Sequence, residues 1–303
     1  MSGEAGALLA AALWAVSVTI LAVQTRRIGA ISVNVVRSLA AALFVLLFVP
    51  FTGALGDLRG ISASTAVAVV GSGVLAMGLG DSLYFACLPL LGVSRAVPIS
   101  SGLYPLLALL LAALWLDEEV TWLIFLGTGL VIAGVSLLVR ERSSAVAGDE
   151  NGSRGGPAAA TAGRWQRGLL LLILACVVWA LSTAWLKAGI GDLDVIAAGT
   201  IRIVISALIL LPVAGLVRGR EEIVGNGMRN TAALAGAGVL GIGIGSLFFI
   251  FAVQEAGAGR TAVLVSTQPL FALPLAVIFL HEKVTPKVVL GTALCILGIW
   301  FVV

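Results

Sequence analysis

Long runs of apolar residues, separated by short polar segments, follow one another along almost the whole chain. Each run is close to 20 residues, the length that crosses the hydrocarbon core of a bilayer as an α-helix. The strands of a membrane barrel run only about 9–11 residues and alternate apolar with polar positions. The pattern therefore predicts an all-α membrane protein with ten transmembrane helices, at residues 5–24, 31–51, 64–90, 93–116, 121–139, 168–187, 194–217, 231–255, 260–280 and 285–303.

The composition agrees with this pattern and excludes a soluble globular domain. Hydrophobic residues make up 60% of the chain and charged residues only 11%, against about 25% charged in an average soluble domain. The net charge of +3 carries little information, because most basic residues lie between the predicted spans. They form no clustered basic face, so nucleic acid is not an expected partner. We expect a multi-pass protein of the plasma or inner membrane, with the lipid bilayer around it.

The chain contains an internal duplication. The segment LDEEVTWLIFLGTGLVIAGVSLLV, ending at Val139, aligns with LHEKVTPKVVLGTALCILGIWFVV, ending at Val303. Equivalent residues there are 164 positions apart, whereas upstream of a one-residue deletion they are 165 apart. The upstream pairs are Trp14 and Trp179, Ser17 and Ser182, Arg37 and Arg202, Gly71 and Gly236, Gly73 and Gly238, Gly78 and Gly243, Gly80 and Gly245, and Gly92 and Gly257.

The duplication predicts two five-helix repeats, residues 1–140 and 167–303, joined by a flexible linker at 141–166. The linker is polar and rich in Gly, Ser and Ala, a composition that does not fold by itself. Because five is an odd number, the second repeat enters the membrane from the opposite face. Inverted repeats of this kind suit alternating access, with a binding site near the midplane.

The basic residues of the loops give a prediction for orientation. Three Lys or Arg residues lie on the side of the amino terminus and thirteen on the other side. Because basic loops stay in the cytoplasm, this asymmetry places both termini outside and the linker inside.

Five sequence features recur in both repeats and carry a family resemblance. The first helix has a Trp (ALWAVSV, VVWALST), and the second opens on an Arg (VVRSLAAALF, TIRIVISALI). The third is rich in Gly, the fourth has an internal Pro and ends in Glu, and the fifth reads LGTGLVIAGV or LGTALCILGI. Together these features resemble the drug/metabolite transporter superfamily, in particular its ten-helix EamA-type transporters. The resemblance covers nearly the whole chain apart from the linker.

This resemblance implies a secondary carrier, often an exporter of amino acids, other metabolites or drugs. It also implies both termini in the cytoplasm, opposite to the orientation that the loop charges favour. We expect a small-molecule substrate, no cofactor and no metal, in a monomer or homodimer. The alternative is a membrane-embedded enzyme or a lipid-modifying protein. Such an enzyme would need paired carboxylates, a Ser with His or Lys, or a zinc-binding pair within the membrane, and the apolar runs supply none of these. We therefore expect no enzyme activity.

Asp81 is the one carboxylate that falls well within an apolar run. A low dielectric disfavours a charged carboxylate, which suits a proton-coupling site. The alternative is a structural Asp81 that pairs with a neighbouring Arg or faces water. Its equivalent in the second repeat is Ser246, so the position was kept without the charge.

Arg37 and Arg202 lie one to two turns inside their predicted helices. A guanidinium there can attract a carboxylate or phosphate through a bidentate contact, or extend to the membrane interface and bind backbone carbonyls. Because both repeats have the residue, we favour a structural role over an anion-attracting one.

The remaining candidates are predicted substrate contacts. Trp14 shares a helix face with Ser17, and Trp179 shares one with Ser182, so the two pairs could stack on a flat substrate or form an interfacial aromatic belt. Prolines in the fourth and ninth spans free backbone carbonyls that line cavities. The candidates beside these prolines are Ser101, Tyr104, Thr267 and Gln268, and Tyr84 shares a face with Asp81.

Overall fold

A computed structural model describes residues 1–24, 29–91, 93–147, 158–216, 225–271 and 286–302, and these residues form helices and connecting turns without a strand. Their helices are α1 (Gly3–Gln24), α2 (Ala30–Phe48), α3 (Leu55–Arg59), α4 (Ala63–Gly73), α5 (Asp81–Leu91), α6 (Val93–Trp115), α7 (Trp122–Ala147), α8 (Ala158–Ile190), α9 (Val195–Leu216), α10 (Met228–Gly238), α11 (Ser246–Ala256), α12 (Ala258–Val265) and α13 (Pro286–Val302).

The helices match the predicted spans closely, and the all-α membrane fold is confirmed. Six helical stretches of the described residues are long and apolar enough to cross a membrane, and three shorter apolar helices accompany them. The ninth predicted span, 260–280, lies partly outside the described residues, so the count of ten stays a prediction. Large apolar side chains such as Leu114, Trp122 and Trp300 face outward and are mostly exposed, as lipid-facing residues are.

The third span of each repeat is not a single regular helix. A π-helical segment, Val74–Gly80, separates α4 from α5, and a second, Val239–Gly245, separates α10 from α11. The backbone N–H of Asp81 donates to the carbonyl of Ala76, five residues back. The segments lie 165 residues apart, at equivalent positions of the duplication. Single-turn π segments are rare and often mark functional sites.

The predicted span at 260–280 is interrupted. Helix α12 ends at Val265, and Ser266 and Thr267 form a turn before the next helical residues. Pro269 lacks the N–H that would donate to the Val265 carbonyl, so the helix cannot continue regularly. The turn is closed by the backbone N–H of Leu270, which donates to the carbonyl of Thr267 at 2.8 Å.

The predicted flexible linker is shorter than expected at both ends. Helix α7 continues through residues 141–147, and α8 begins at Ala158, so that 158–166 is also helical. Residues 148–157, the centre of the predicted linker, lie outside the described residues. The alanines at these edges favour helix over coil. The linker prediction counted them with Gly and Ser as residues of a flexible segment.

Below, the first half means residues 1–140 and the second half residues 167–303. Their last helices, α7 and α13, pack backbone to backbone. A Cβ added at Gly127 would lie 2.7 Å from the carbonyl oxygen of Gly298, and one at Gly134 would lie 2.5 Å from that of Gly291. Partner numbers fall along α13 as they rise along α7, so the two helices run antiparallel. Equivalent residues exchange contacts, which is the arrangement of a two-fold related pair.

Candidate functional site

Asp81 begins α5, directly after the first π segment, and receives hydrogen bonds from both halves. Arg37 of α2 donates to one carboxylate oxygen through Nη2 and forms an ion pair with it. Trp179 of α8 donates to the other oxygen from Nε1 at 3.0 Å. The residue before Asp81 is Gly80, where a Cβ would lie 2.6 Å from the Trp179 ring nitrogen. Only glycine leaves room for this approach of the indole.

Arg37 is held on three sides. Its Nε donates to the side-chain oxygen of Asn34 at 3.0 Å, and its guanidinium carbon lies 4.5 Å from the centre of the Phe85 ring, a cation–π contact. Asn34 in turn donates to the carbonyl of Met77, within the π segment, at 2.9 Å, and to the hydroxyl of Ser82 at 3.0 Å. We call these linked side chains the central cluster: Asn34, Arg37, Asp81, Ser82 and Trp179.

The structural alternative for Asp81, pairing with a neighbouring Arg, is thus observed. Its side chain is 18% exposed and that of Arg37 is 9% exposed. The pairing does not test proton coupling, because it shows one hydrogen-bonded arrangement of Asp81 and no change in its protonation. Asn34 and Ser82 were not singled out from the sequence. An Asn within an apolar run, one turn before Arg37, is the signal that could have found the first of them.

Three predicted substrate contacts, Tyr84, Tyr104 and Trp179, come together beside Asp81. The ring of Tyr84 lies 5.2 Å from that of Trp179, and the ring of Tyr104 lies 6.3 Å away at an edge-on angle. The Tyr104 hydroxyl is 3.1 Å from that of Thr183, one turn along α8 from Trp179. These residues join α5, α6 and α8 around one aromatic surface. Tyr84, Tyr104 and Trp179 are called the aromatic wall below, and their role as substrate contacts stays a prediction.

Trp14 and the two predicted serines take part in packing between the halves. Ser17 donates to the carbonyl of Ala237 at 2.8 Å, and Ser182 donates to that of Ser72 at 2.7 Å. Both serines are buried. Trp14 donates from Nε1 to the carbonyl of Gly241, inside the second π segment, at 2.9 Å. In this conformation these three side chains therefore bond to neighbouring backbone.

Three further candidates flank the prolines of the fourth and ninth spans: Ser101 on α6, and Thr267 and Gln268 at the turn after α12. Thr267 is fully buried and donates to the carbonyl of Leu264 at 2.6 Å, at the turn after α12. Ser101 on α6 and Gln268 after the turn are half-buried. Within the described residues, no hydrogen bond or ring contact joins these three side chains to the central cluster. They stay predictions.

Arg202 of α9 is buried, with 2% of its surface exposed. Its Nη1 donates to the hydroxyl of Ser72 at 2.7 Å, and that hydroxyl donates to the carbonyl of Val69 at 2.9 Å. Arg202 therefore reaches from the second half to α4 of the first half. A structural contact, the role favoured from the sequence, is present, although the buried Nε of Arg202 has no hydrogen-bond partner.

Glu118 provides a further link between the halves. Its carboxylate accepts from the backbone N–H groups of Ala258 at 2.7 Å and Gly259 at 3.0 Å, at the start of α12. Gly257 has φ +87 and lies against this carboxylate. An acidic group at a helix N-terminus is favourable to the helix dipole. Glu118 is thus a cap. Within the described residues, no group of His, Cys, Asp and Glu side chains could hold a metal ion.

Comparisons with known proteins bear on the whole chain. Residues 1–140 and 166–303 match the sequence model of the EamA-like transporter family. An uncharacterized transporter from Archaeoglobus fulgidus is 26% identical over 294 residues, which cover 96% of this chain and 94% of the relative. A protein solved by crystallography has a TM-score of 0.75 at 15% identity, covering 99% of this chain and 95% of that one. At such low identity, the match in structure concerns the fold alone.

Proposed function

Since the chain belongs to the EamA-like transporter family, it is a multi-pass membrane transporter, and we propose that it is a secondary carrier of the plasma or inner membrane. The substrates we propose are small metabolites, amino acids or drug-like molecules, moved by alternating access between two inverted repeats. The antiparallel packing of α7 against α13 supports the inversion. Export is the direction that the family resemblance implies.

We further propose that Asp81 couples transport to protons. The observation that carries this proposal is the position of its carboxylate, which is bound by Arg37 of the first half and Trp179 of the second. A charged carboxylate makes stronger hydrogen bonds than a neutral one. Protonation of Asp81 would therefore weaken a contact across the boundary where alternating access requires the halves to move.

The aromatic wall of Tyr84, Tyr104 and Trp179 is the proposed substrate surface. It lies beside Asp81, because Trp179 belongs both to the wall and to the carboxylate's hydrogen bonds. A substrate stacked on the Trp179 ring would be sensitive to the hydrogen bond that positions this ring. Substrate and proton would thus act on the same side chain.

The test is flux into proteoliposomes under an imposed pH gradient, for a panel of labelled amino acids and aromatic drugs. The wild-type protein is expected to concentrate at least one compound when the gradient is present. Asp81→Asn should abolish this gradient-driven accumulation, while saturable exchange of the same compound without a gradient persists.

Glu4→Gln is the matched control, because it neutralises another carboxylate. Glu4 lies in the first turn of α1, and its Oε1 is 3.9 Å from Nη1 of Arg260. It should leave gradient-driven flux unchanged. If Asp81→Asn retains the full gradient dependence, Asp81 has no part in coupling. If no compound shows saturable flux with the wild-type protein, the carrier proposal itself fails.

A further inference from the structure

Arg37 and Arg202 occupy equivalent positions of the duplication, yet their surroundings differ. The neighbours of Arg37 are Asn34, Asp81 and Phe85. The equivalent positions in the second half are all without charge or amide. They are Gly199, Ser246 and Ile250.

The difference leaves Arg202 incompletely bound. Its Nε is buried and has no hydrogen-bond partner, which follows from the replacement of the Asn34 side chain by the hydrogen of Gly199. Within the described residues, no carboxylate lies within ion-pair distance of its guanidinium. The hydroxyl of Ser72 is neutral. Its hydrogen bond offsets only a small part of the hydration free energy that a guanidinium loses on burial.

Within the part of the chain that the structure describes, the interior around Arg202 is therefore one negative charge short. Asp81 is near enough to attract Arg202 electrostatically. Asp81, however, is already the partner of Arg37. Two arginines and one carboxylate leave an excess positive charge in a region of low dielectric, where charged side chains usually pair with one another or mark a ligand pathway.

We propose that Arg202 binds the carboxylate of the transported substrate. This inference rests on the proposed carrier function and narrows its substrate class to small organic carboxylates. The first half provides the chemical precedent within the same chain, since the equivalent guanidinium of Arg37 binds the carboxylate of Asp81. A guanidinium presents a planar fork of donors that matches a carboxylate, and the free Nε of Arg202 belongs to that fork.

The surroundings suit the organic part of such a substrate. Tyr104 lies in the neighbourhood of Arg202, and its ring lies 6.3 Å from that of Trp179. A carboxylate on Arg202 would place its carbon skeleton towards the aromatic wall. In this conformation Arg202 is closed off from solvent, so the substrate must enter in another state of the alternating cycle.

The test compares carboxylates with their neutral amides on the purified full-length protein. The probes are benzoate, phenylacetate and N-acetylphenylalanine, each paired with its amide, and the readout is the thermal unfolding midpoint as a function of probe concentration. At least one carboxylate should raise the midpoint saturably, while its amide does not. Arg202→Gln should raise the half-saturating concentration by roughly ten- to hundredfold, since a charge-assisted hydrogen bond is lost.

Two controls separate binding from general charge effects. Arg260→Gln makes the same substitution at an arginine whose side chain is 40% exposed, and it should bind like the wild type. Arg202→Lys keeps the charge without the fork, so it should retain the preference for carboxylate at lower affinity, and it provides the answer if Arg202→Gln fails to fold.

A third variant uses the duplication itself. Ser246→Asp restores a carboxylate at the position equivalent to Asp81, and it should raise the midpoint without ligand and abolish the response to carboxylates. The proposal is wrong if amides and carboxylates act alike on the wild type, if neither acts, or if Arg202→Gln responds as the wild type does. Saturable flux of neutral compounds alone would remove the carboxylate assignment but keep the carrier. Carboxylate binding without any flux would keep the carboxylate assignment but remove the carrier proposal.

Discussion

The surroundings of Arg37 and Arg202 show how a duplicated fold can keep its packing and change its chemistry. The backbone of each arginine lies against a glycine of the other half, Gly238 for Arg37 and Gly73 for Arg202, and these glycines are themselves equivalent. The side chains do not match in the same way. Arg37 has an amide, a carboxylate and an aromatic ring, whereas Arg202 has one serine hydroxyl.

This comparison teaches that the two halves carry different tasks on one scaffold. Close backbone approach depends on small residues at fixed positions, so it survives in both copies. Polar partners depend on single side chains, and a few substitutions removed them from the second half. The largest expected effects therefore come from the half in which the charges are paired.

The strongest test of the comparison is Arg37→Leu. The substitution leaves the mostly buried carboxylate of Asp81 with Trp179 as its remaining hydrogen-bond partner. Breaking one side of a buried pair costs roughly 3–5 kcal/mol, so we expect a large fall in the free energy of unfolding, measured by denaturant titration in detergent. Substrate selectivity of the protein that does assemble should change little.

The double variant Arg37→Leu with Asp81→Leu is the control for that prediction. Removing both partners leaves no unpaired charge, so part of the lost stability should return. A double variant that is less stable than Arg37→Leu alone would show that the ion pair is not what stabilises this region.

Alanine at the paired glycines tests the half of the comparison that is symmetric. A Cβ at Gly238 would lie 2.2 Å from the Arg37 carbonyl oxygen, and one at Gly73 would lie 2.9 Å from that of Arg202. Both Gly238→Ala and Gly73→Ala should therefore destabilise by about 1–3 kcal/mol, as overpacking does. Gly236→Ala is the matched control, because no atom lies within 4 Å of the added Cβ. It should be neutral or stabilising in the same unfolding assay.

The smallest effect is expected from the two tryptophans. Trp179→Phe loses a hydrogen bond to a charged carboxylate, whereas Trp14→Phe loses one to a backbone carbonyl. Bonds to charged groups contribute about 1.5–3 kcal/mol and neutral ones about 0.5–1.5. Trp179→Phe should thus be the more destabilising by about 1 kcal/mol in matched thermal unfolding curves. Equal losses would mean that the Asp81 bond is not stronger than its neutral counterpart.

The sequence predicted the helices well, because a span near 20 apolar residues admits few alternatives in lipid. It also placed Asp81 and Arg37 as the charged residues of the interior. It could not predict that Trp179 bonds to Asp81 while Trp14 bonds to Gly241, since the duplication makes the two tryptophans equal. What distinguishes the two tryptophans is that the first repeat has Asp81 where the second has Ser246.

Other misses have a physical origin of the same kind. Comparing the repeats draws attention to residues that match, and Asn34 escaped because its equivalent is Gly199. The π segments escaped because apolar periodicity does not distinguish a wider helical turn from a regular one. Their carbonyls are bound by side chains of other helices, Met77 by Asn34 and Gly241 by Trp14, so tertiary contacts stabilise what local propensity does not favour.

The π segment before Asp81 has a mechanical consequence. Regular helix advances about 1.5 Å and turns about 100° per residue. A π-helical turn holds more residues than a regular one, so it rotates the chain by less per residue. If Val74–Gly80 passed from the wide winding to the regular one, the helix beyond it would rotate about its axis. Asp81, the first residue beyond the segment, would swing away from Arg37 while α4 stayed in place. A change of winding within these seven residues would thus decide whether Asp81 stays paired with Arg37.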